Sequence, residues 1–176
     1  MKLLYWIALA VVLNVGCEEK VKPSILSVPQ TDIPSQESWK STVTFSDSAK
    51  VKAILWAGYI AAYAPQQYTV LSESLRVDFF NEFEQHTSFL TAQWGRVDDR
   101  THDFAAYENV VVISDSGTIL RTDSLFWKDA ERKIYTTAFV EITSPTEQIM
   151  GHGLVSDQGL QNYKITRVTG KAVTRE

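Results

Sequence analysis

From Trp39 onward, apolar and polar residues alternate with a period of two, the spacing of a half-buried strand. Leu75-Arg76-Val77-Asp78-Phe79 alternates cleanly, and Leu90, Ala92 and Trp94 do so behind Phe89. Val110-Val111-Val112-Ile113, after Glu108-Asn109, is β-branched, which suits a pleated surface better than a helix. Leu120 to Trp127, Lys133 to Ile142 and Tyr163 to Val168 continue the series. Turn chemistry falls between them at Ser114-Asp115-Ser116-Gly117, Lys128 to Arg132, Ser144 to Glu147 and Ser156-Asp157-Gln158-Gly159. Val51 to Tyr63 is rich enough in alanine to tolerate a helix, but its pattern reads mostly as strand. No segment offers three capped helical turns. Leu120 and Thr122 disagree in parity with Leu125 and Trp127, which predicts a β-bulge near Ser124. Trp94, Leu125 and Leu154 recur about 30 residues apart, a spacing that fits either stacked hairpin units or an ordinary meander.

The N-terminus follows a different pattern. Lys2 precedes an apolar run from Leu3 to Val15, broken only by Asn14. Thirteen residues are too few to span a bilayer as a helix, which takes roughly 20. A charged start and a short apolar run read as a secretory signal over residues 1–16. The run ends in Leu13-Asn14-Val15-Gly16-Cys17, which resembles a bacterial lipobox and makes Cys17 the candidate lipid-attachment residue. Two or three acyl chains there, each worth about 0.8 kcal/mol per buried CH₂, would anchor the chain firmly. Asn14 stands where that motif usually carries an aliphatic residue. Residues 17–37 contain Pro23, Pro29 and Pro34 and no sustained apolar period, so they read as a lipidated N-terminus and flexible tether. Near full extension such a tether reaches ~60 Å. Residues 38–176 are then the single folded domain.

Composition narrows the function. An apolar share of 44% excludes a disordered chain. A net charge of −4 argues against nucleic acid as a partner. One cysteine excludes an intramolecular disulfide framework and a cysteine-rich zinc site. The three histidines, His86, His102 and His152, show no paired-ligand spacing. Asp98-Asp99 and His102-Asp103 form the most polar cluster, but acidic turns between strands are usually just solvated. Gly151-His152-Gly153 lacks the strand–turn–helix setting of a phosphate loop and fits a crowded or bent strand. No serine sits in a nucleophile elbow. We therefore expect no catalytic residues, no metal site, no cofactor and no enzyme activity.

What stands out is the apolar inventory: Trp39, Trp56, Trp94 and Trp127, with eight phenylalanines and most of seven tyrosines. These residues either fill a core or line an apolar groove between two twisted sheets, and alternation alone does not separate the two.

In the C-terminal half, Asn109-Val110-Val111-Val112 and Gly117-Thr118-Ile119-Leu120-Arg121-Thr122-Asp123-Ser124-Leu125-Phe126-Trp127 look like the central block of the LptC family, the periplasmic component of the lipopolysaccharide export machine. Lys133-Ile134-Tyr135-Thr136 and Val140-Glu141-Ile142 continue the likeness. It closes through Gly151 to Leu154, Asp157, Leu160, Tyr163-Lys164-Ile165 and Val168-Thr169-Gly170, and covers roughly residues 50 to 173. The resemblance implies an all-β fold: an open, twisted antiparallel β-jellyroll, boat- or taco-shaped, like that of the LptA bridge protein. It further implies a domain that accepts lipopolysaccharide from inner-membrane ABC transporter subunits and passes it to an LptA-like bridge protein. Many family members keep a transmembrane helix where this chain carries Cys17.

On this reading Leu75, Val77, Phe79, Leu90, Ala92, Val110, Val112, Leu120, Leu125, Trp127, Val140, Ile142, Tyr163 and Ile165 line the lipid-binding groove. The last strand, with Tyr163, Ile165, Val168, Gly170 and Val173, is the docking edge for the bridge protein. The protein is placed on the periplasmic side of the envelope, lipid-anchored to the inner membrane. The alternative is a structural or protein-binding envelope lipoprotein with a closed β core and no lipid ligand.

Overall fold

A computed structural model describes residues 33–173. The signal segment, Cys17 and the tether up to residue 32 lie outside the described residues. Ten strands follow: β1 (Gln36–Asp47), β2 (Lys50–Tyr63), β3 (Tyr68–Phe80), β4 (His86–Ala92), β5 (Trp94–Asp98), β6 (Phe104–Ser114), β7 (Ile119–Lys128), β8 (Lys133–Thr143), β9 (Glu147–Ser156) and β10 (Tyr163–Val173). All are antiparallel and belong to one sheet, ordered β1-β2-β3-β4-β6-β7-β8-β9-β10, with β5 pairing β3 and β6. The alanine-rich segment is strand β2, because its Leu55, Ala57, Ile60 and Ala61 are buried against neighbouring strands. The fold is an all-β jellyroll of the expected class.

A single sheet acquires two facing halves through a line of irregularities that crosses the strands. Lys40 (φ 49°) stands opposite Gly58, and Gly58 opposite Glu73 and Ser74, both at positive φ. The line continues through Gln93, which separates β4 from β5, and through Glu108-Asn109, again both at positive φ. It then crosses the register shifts between Thr122 and Phe126 in β7 and between Thr136 and Phe139 in β8. Gly153 (φ 76°) closes it, facing Thr166 of β10. A bulge inserts an unpaired residue and bends its strand. Bulges aligned across a sheet therefore bend the whole sheet along one line. One leaf carries, among others, Ser41–Asp47, Leu75–Phe80 and Val110–Ser114; the other carries Gln36–Trp39, Trp94–Asp98 and Leu125–Lys128.

This seam explains the pattern in the sequence. Leu120, Thr122 and Leu125 are all buried on the same side despite their conflicting parity, because the extra residue lies between them. Trp94, Leu125 and Leu154 are each the first residues past the seam, so their 30-residue recurrence marks where alternate strands cross it. The Thr122 hydroxyl donates to the Phe139 carbonyl at 2.8 Å, satisfying a group near the interrupted ladder. Gly117, at φ 84°, ends the β6–β7 hairpin, its amide donating to the Ser114 carbonyl at 2.9 Å.

The inner faces of the leaves meet in one apolar core that includes Leu71, Leu75, Leu90, Val110, Leu120, Leu125, Ile142 and Leu154. Phe79 of one leaf contacts Trp127 of the other, ring centroids 6.0 Å apart. The β9–β10 connection departs from a simple turn. It extends past Gly159 and inserts Leu160, 2% exposed and at φ 54°, into the core.

Candidate functional site: the inner cleft and the sheet edges

The inner face is packed in its middle and open on the β1 side. There a cleft of about 390 Å³ is lined by Phe45, Ala53, Leu55, Val77 and Phe79, with Val97, Phe104 and Trp127 on the opposite wall. A second space of about 350 Å³ shares Phe45, Leu55, Val97 and His102 with it and reaches Ile60 and Leu71. Their sizes are those of ligand pockets. Alternation delivers these side chains. Phe45 comes from the inner side of β1, Leu55 from β2, Val77 and Phe79 from β3, Val97 from β5.

The cleft is amphiphilic. Its apolar floor meets a rim of Asp47, Lys52, His102, Asp129 and Arg132. Beside the rim, Lys128 Nζ donates to Asp103 at 2.8 Å, and the Asp129 amide donates to the same carboxylate at 3.0 Å. The Lys128 ammonium, with help from that amide, holds the Asp103 carboxyl below the usual carboxylate range. Asp98 accepts from the Arg100 and Thr101 amides at 3.0 and 3.1 Å, and Asp99 from the Thr69 hydroxyl at 3.0 Å. These carboxylates are committed to shaping the β5–β6 turn. Among the described residues no group of His, Cys, Asp and Glu could hold a metal ion.

β1 and β10 are the free edges of the sheet. Edge strands offer unpaired backbone groups to another sheet. β1 exposes Trp39 (61%) beside Tyr59, rings 5.5 Å apart. Glu37 accepts a hydrogen bond from Tyr59, pushing the phenol's pKa up to about 12. β10 exposes Val168 and Val173, and its Lys171 pairs with Glu147 at 2.7 Å.

The sequence that builds this apolar inner face between two free sheet edges matches a known family. A family model described as "Lipopolysaccharide-assembly, LptC-related" matches residues 7–170. The chain belongs to the LptC family. No curated protein matches it. LptC proteins act in lipopolysaccharide transport, on the periplasmic side of the envelope, with the lipopolysaccharide transporter and bridge as partners; they are transport accessories and not an enzyme family. Among the described residues no helix is long and apolar enough to cross a membrane.

Against this family background, all fourteen groove residues predicted from sequence lie on the inner face. They divide into two groups. Val77, Phe79 and Trp127 line the cleft. Leu75, Leu90, Ala92, Val110, Val112, Leu120, Leu125, Val140 and Ile142 are at most 5% exposed and packed in the core, while Tyr163 and Ile165 pack against it from β10. Sequence reasoning missed Phe45, Ala53, Leu55, Val97 and Phe104, which complete the cleft. Tyr163, Ile165, Val168, Gly170 and Val173 all lie on edge strand β10.

Proposed function

We propose that this LptC-family domain takes acyl chains of lipopolysaccharide into the β1-side cleft as the molecule leaves the inner-membrane ABC transporter. It then delivers them along the inner face to an LptA-like bridge protein docked on β10. Cys17, lipidated, holds the domain at the periplasmic face of the inner membrane. The observation that carries this reading is the amphiphilic cleft. Four aromatic rings, Phe45, Phe79, Phe104 and Trp127, supply apolar walls, while Lys52, Arg132 and His102 stand at the rim where an anionic headgroup would remain in water. Each methylene shielded there is worth about 0.8 kcal/mol. Sheet edges at both ends allow neighbouring jellyrolls to extend the apolar path without a break.

The packed middle of the domain favours a second reading, a structural lipoprotein with a closed core. One experiment separates the two. A photo-crosslinking amino acid is placed at Phe45, inside the cleft, or at Thr44, exposed on the opposite side of the same strand. Lipopolysaccharide adducts in living cells at 45 and not at 44 support the conduit. Absence of adducts at both, with folded and abundant protein, supports the closed-core lipoprotein.

A further inference from the structure

Lys52 stands where strand alternation would not put it. Ala53, Leu55 and Ala57 of β2 face inward, so an unbroken β2 would turn Lys52 outward together with Lys50. The β1–β2 register slips at this point: Phe45 pairs with Ala53 and Ser46 with Val51, which leaves Lys52 without a partner. A bulge re-aims the side chain of its extra residue. Lys52, half-buried, accordingly joins Phe45 and Ala53 in lining the cleft. Two further donors reach the same cleft from the opposite leaf, each held by a turn residue in the left-handed region. His102 (φ 58°) belongs to the β5–β6 turn, its amide donating to the Asp98 carbonyl at 2.9 Å. Arg132 (φ 55°) closes the β7–β8 turn, its amide donating to the Asp129 carbonyl at 3.2 Å.

The charges of these side chains are unspent. Among the described residues Arg76, Arg100, Lys128 and Lys171 each pair with a carboxylate, whereas Lys52, His102 and Arg132 make no ion pair and no side-chain hydrogen bond. Asp47 and Asp129 share their rim, yet these accept from the Ser48 hydroxyl at 3.1 Å and the Trp127 indole at 3.3 Å. Behind the rim lie the rings of Phe45, Phe79, Phe104 and Trp127, and apolar walls focus the field of charges at a cleft mouth. The Arg guanidinium is a planar fork of donors and the Lys ammonium a compact charge, a pairing that suits phosphate. Lys52 stands on one leaf and Arg132 on the other. A tetrahedral phosphate has oxygens to present to both leaves at once, while a carboxylate presents only two in one plane.

We propose that Lys52 and Arg132, with His102 beside them, clamp a phosphate ester on the headgroup of an acylated amphiphile between the two leaves at the mouth of the cleft. This rests on the lipid-conduit reading above and names the chemical group for which the cleft selects. The phosphate neutralises cations that face each other from the two leaves and fixes the head at the mouth. The acyl chains then lie against the aromatic walls, so the ligand enters in one orientation. Lys52 and Arg132 are the specificity-determining residues, one on each leaf.

The test uses the full-length chain with a photo-crosslinker at Phe45, offered lipid A in detergent micelles either with its phosphates intact or with them removed. The otherwise unaltered chain should form roughly tenfold more adduct with the phosphorylated lipid, the loss expected for one charge-assisted hydrogen bond. Lys52→Gln and Arg132→Gln should each abolish that preference and leave capture of the stripped lipid unchanged. Lys50→Gln is the control: it removes the same charge from the same strand outside the cleft, and the preference should survive it. Thermal melts verify that every variant is folded. Equal capture of both lipids, or a preference that persists in Lys52→Gln and Arg132→Gln, would overturn the clamp and leave the conduit standing. No adduct with either lipid would overturn the conduit and the clamp together. Inorganic phosphate added at the lipid's concentration should leave the adducts unchanged; their suppression would mean a site for free phosphate and would overturn the lipid headgroup as its ligand.

Discussion

Strands approach each other closely at a few glycines, and Gly151, facing edge strand β10, gives a direct test. A Cβ built there would lie 2.4 Å from the Arg167 carbonyl oxygen and 2.7 Å from Ile165 Cγ2. Reaching an ordinary contact of 3.4 Å would require β10 to retreat by about 1 Å, because the obstacle is backbone and cannot rotate away. Gly151 is also paired to Val140 of β8, which is fully buried, so the displacement falls on the edge strand. Such overpacking costs about 1–3 kcal/mol, offset by about 0.4–1 kcal/mol from the stiffer unfolded chain. Gly151→Ala should therefore destabilise the domain by about 1–2 kcal/mol, lowering Tm by roughly 3–6 °C for a domain of this size. Gly170→Ala is the matched control on the same hairpin, since its nearest atom would be Met150 Cβ at 4.0 Å. Thermal melts of the two full-length variants, with hydrogen exchange across β10, decide the matter. Melting points within a degree of each other would refute the claim that the close approach of β9 to β10 requires a glycine at 151.

Thr122→Val keeps the shape of a buried side chain but removes its hydrogen bond to Phe139 of β8 beside the seam, and should cost about 1–2 kcal/mol in urea unfolding. Coincident midpoints would show that the hydroxyl is dispensable. Asp103 has a carboxyl pKa depressed by Lys128, so its contribution is fully present above the unfolded carboxylate value and is lost as pH falls through the depressed folded value. Both partners are partly exposed, so the effect is about 1 kcal/mol or less; Asp103→Asn should flatten that acid limb of the stability–pH curve, and an unaltered limb would assign it to other groups. Val112→Asp places an unpaired carboxylate at a site 2% exposed and should cost the fold itself, whereas Phe45→Asp should leave a folded domain that no longer captures lipid. Circular dichroism and lipopolysaccharide pull-down on the two variants check both halves of that contrast.

Much of this was legible in the sequence because a half-buried strand announces itself residue by residue. Leu75, Val77 and Phe79 point inward while Arg76 and Asp78 pair outside at 2.7 Å, as the alternation from 75 to 79 requires. The seam was legible at one strand only, near Ser124, where apolar residues stand on both sides of the slip. Elsewhere it is carried by Glu73, Ser74 and Glu108, whose residue types give no sign of a left-handed backbone, and by Asn109, whose type tolerates one without marking it inside a β-branched run. Gly151 and Gly153 read as a crowded, bent strand and are that: one faces the Arg167 backbone, the other sits at φ 76°. The division of the inner face was not legible. Phe45 beside a void and Leu120 in a packed layer obey the same alternation. Leu160 hides behind Asp157-Gln158-Gly159, a turn signal that gives no hint of the buried leucine following it.

The two requirements on such a domain conflict, and the seam shows how one sheet meets both. An inner face open from edge to edge would leave the leaves without mutual packing, and a single antiparallel sheet needs an apolar face covered to be stable. A fully closed sandwich would be stable but would offer an amphiphile no way in. Here the leaves pack tightly through Val110, Leu120, Leu125 and Ile142, and remain apart only toward β1, where Phe45 and Trp127 face the cleft. Leu160 completes the packing from a connection, not from a strand, so its removal breaks no strand pairing. Shortening the β9–β10 connection to a tight turn is then expected to leave the strand pairing intact, read as unchanged hydrogen-exchange protection in β9 and β10.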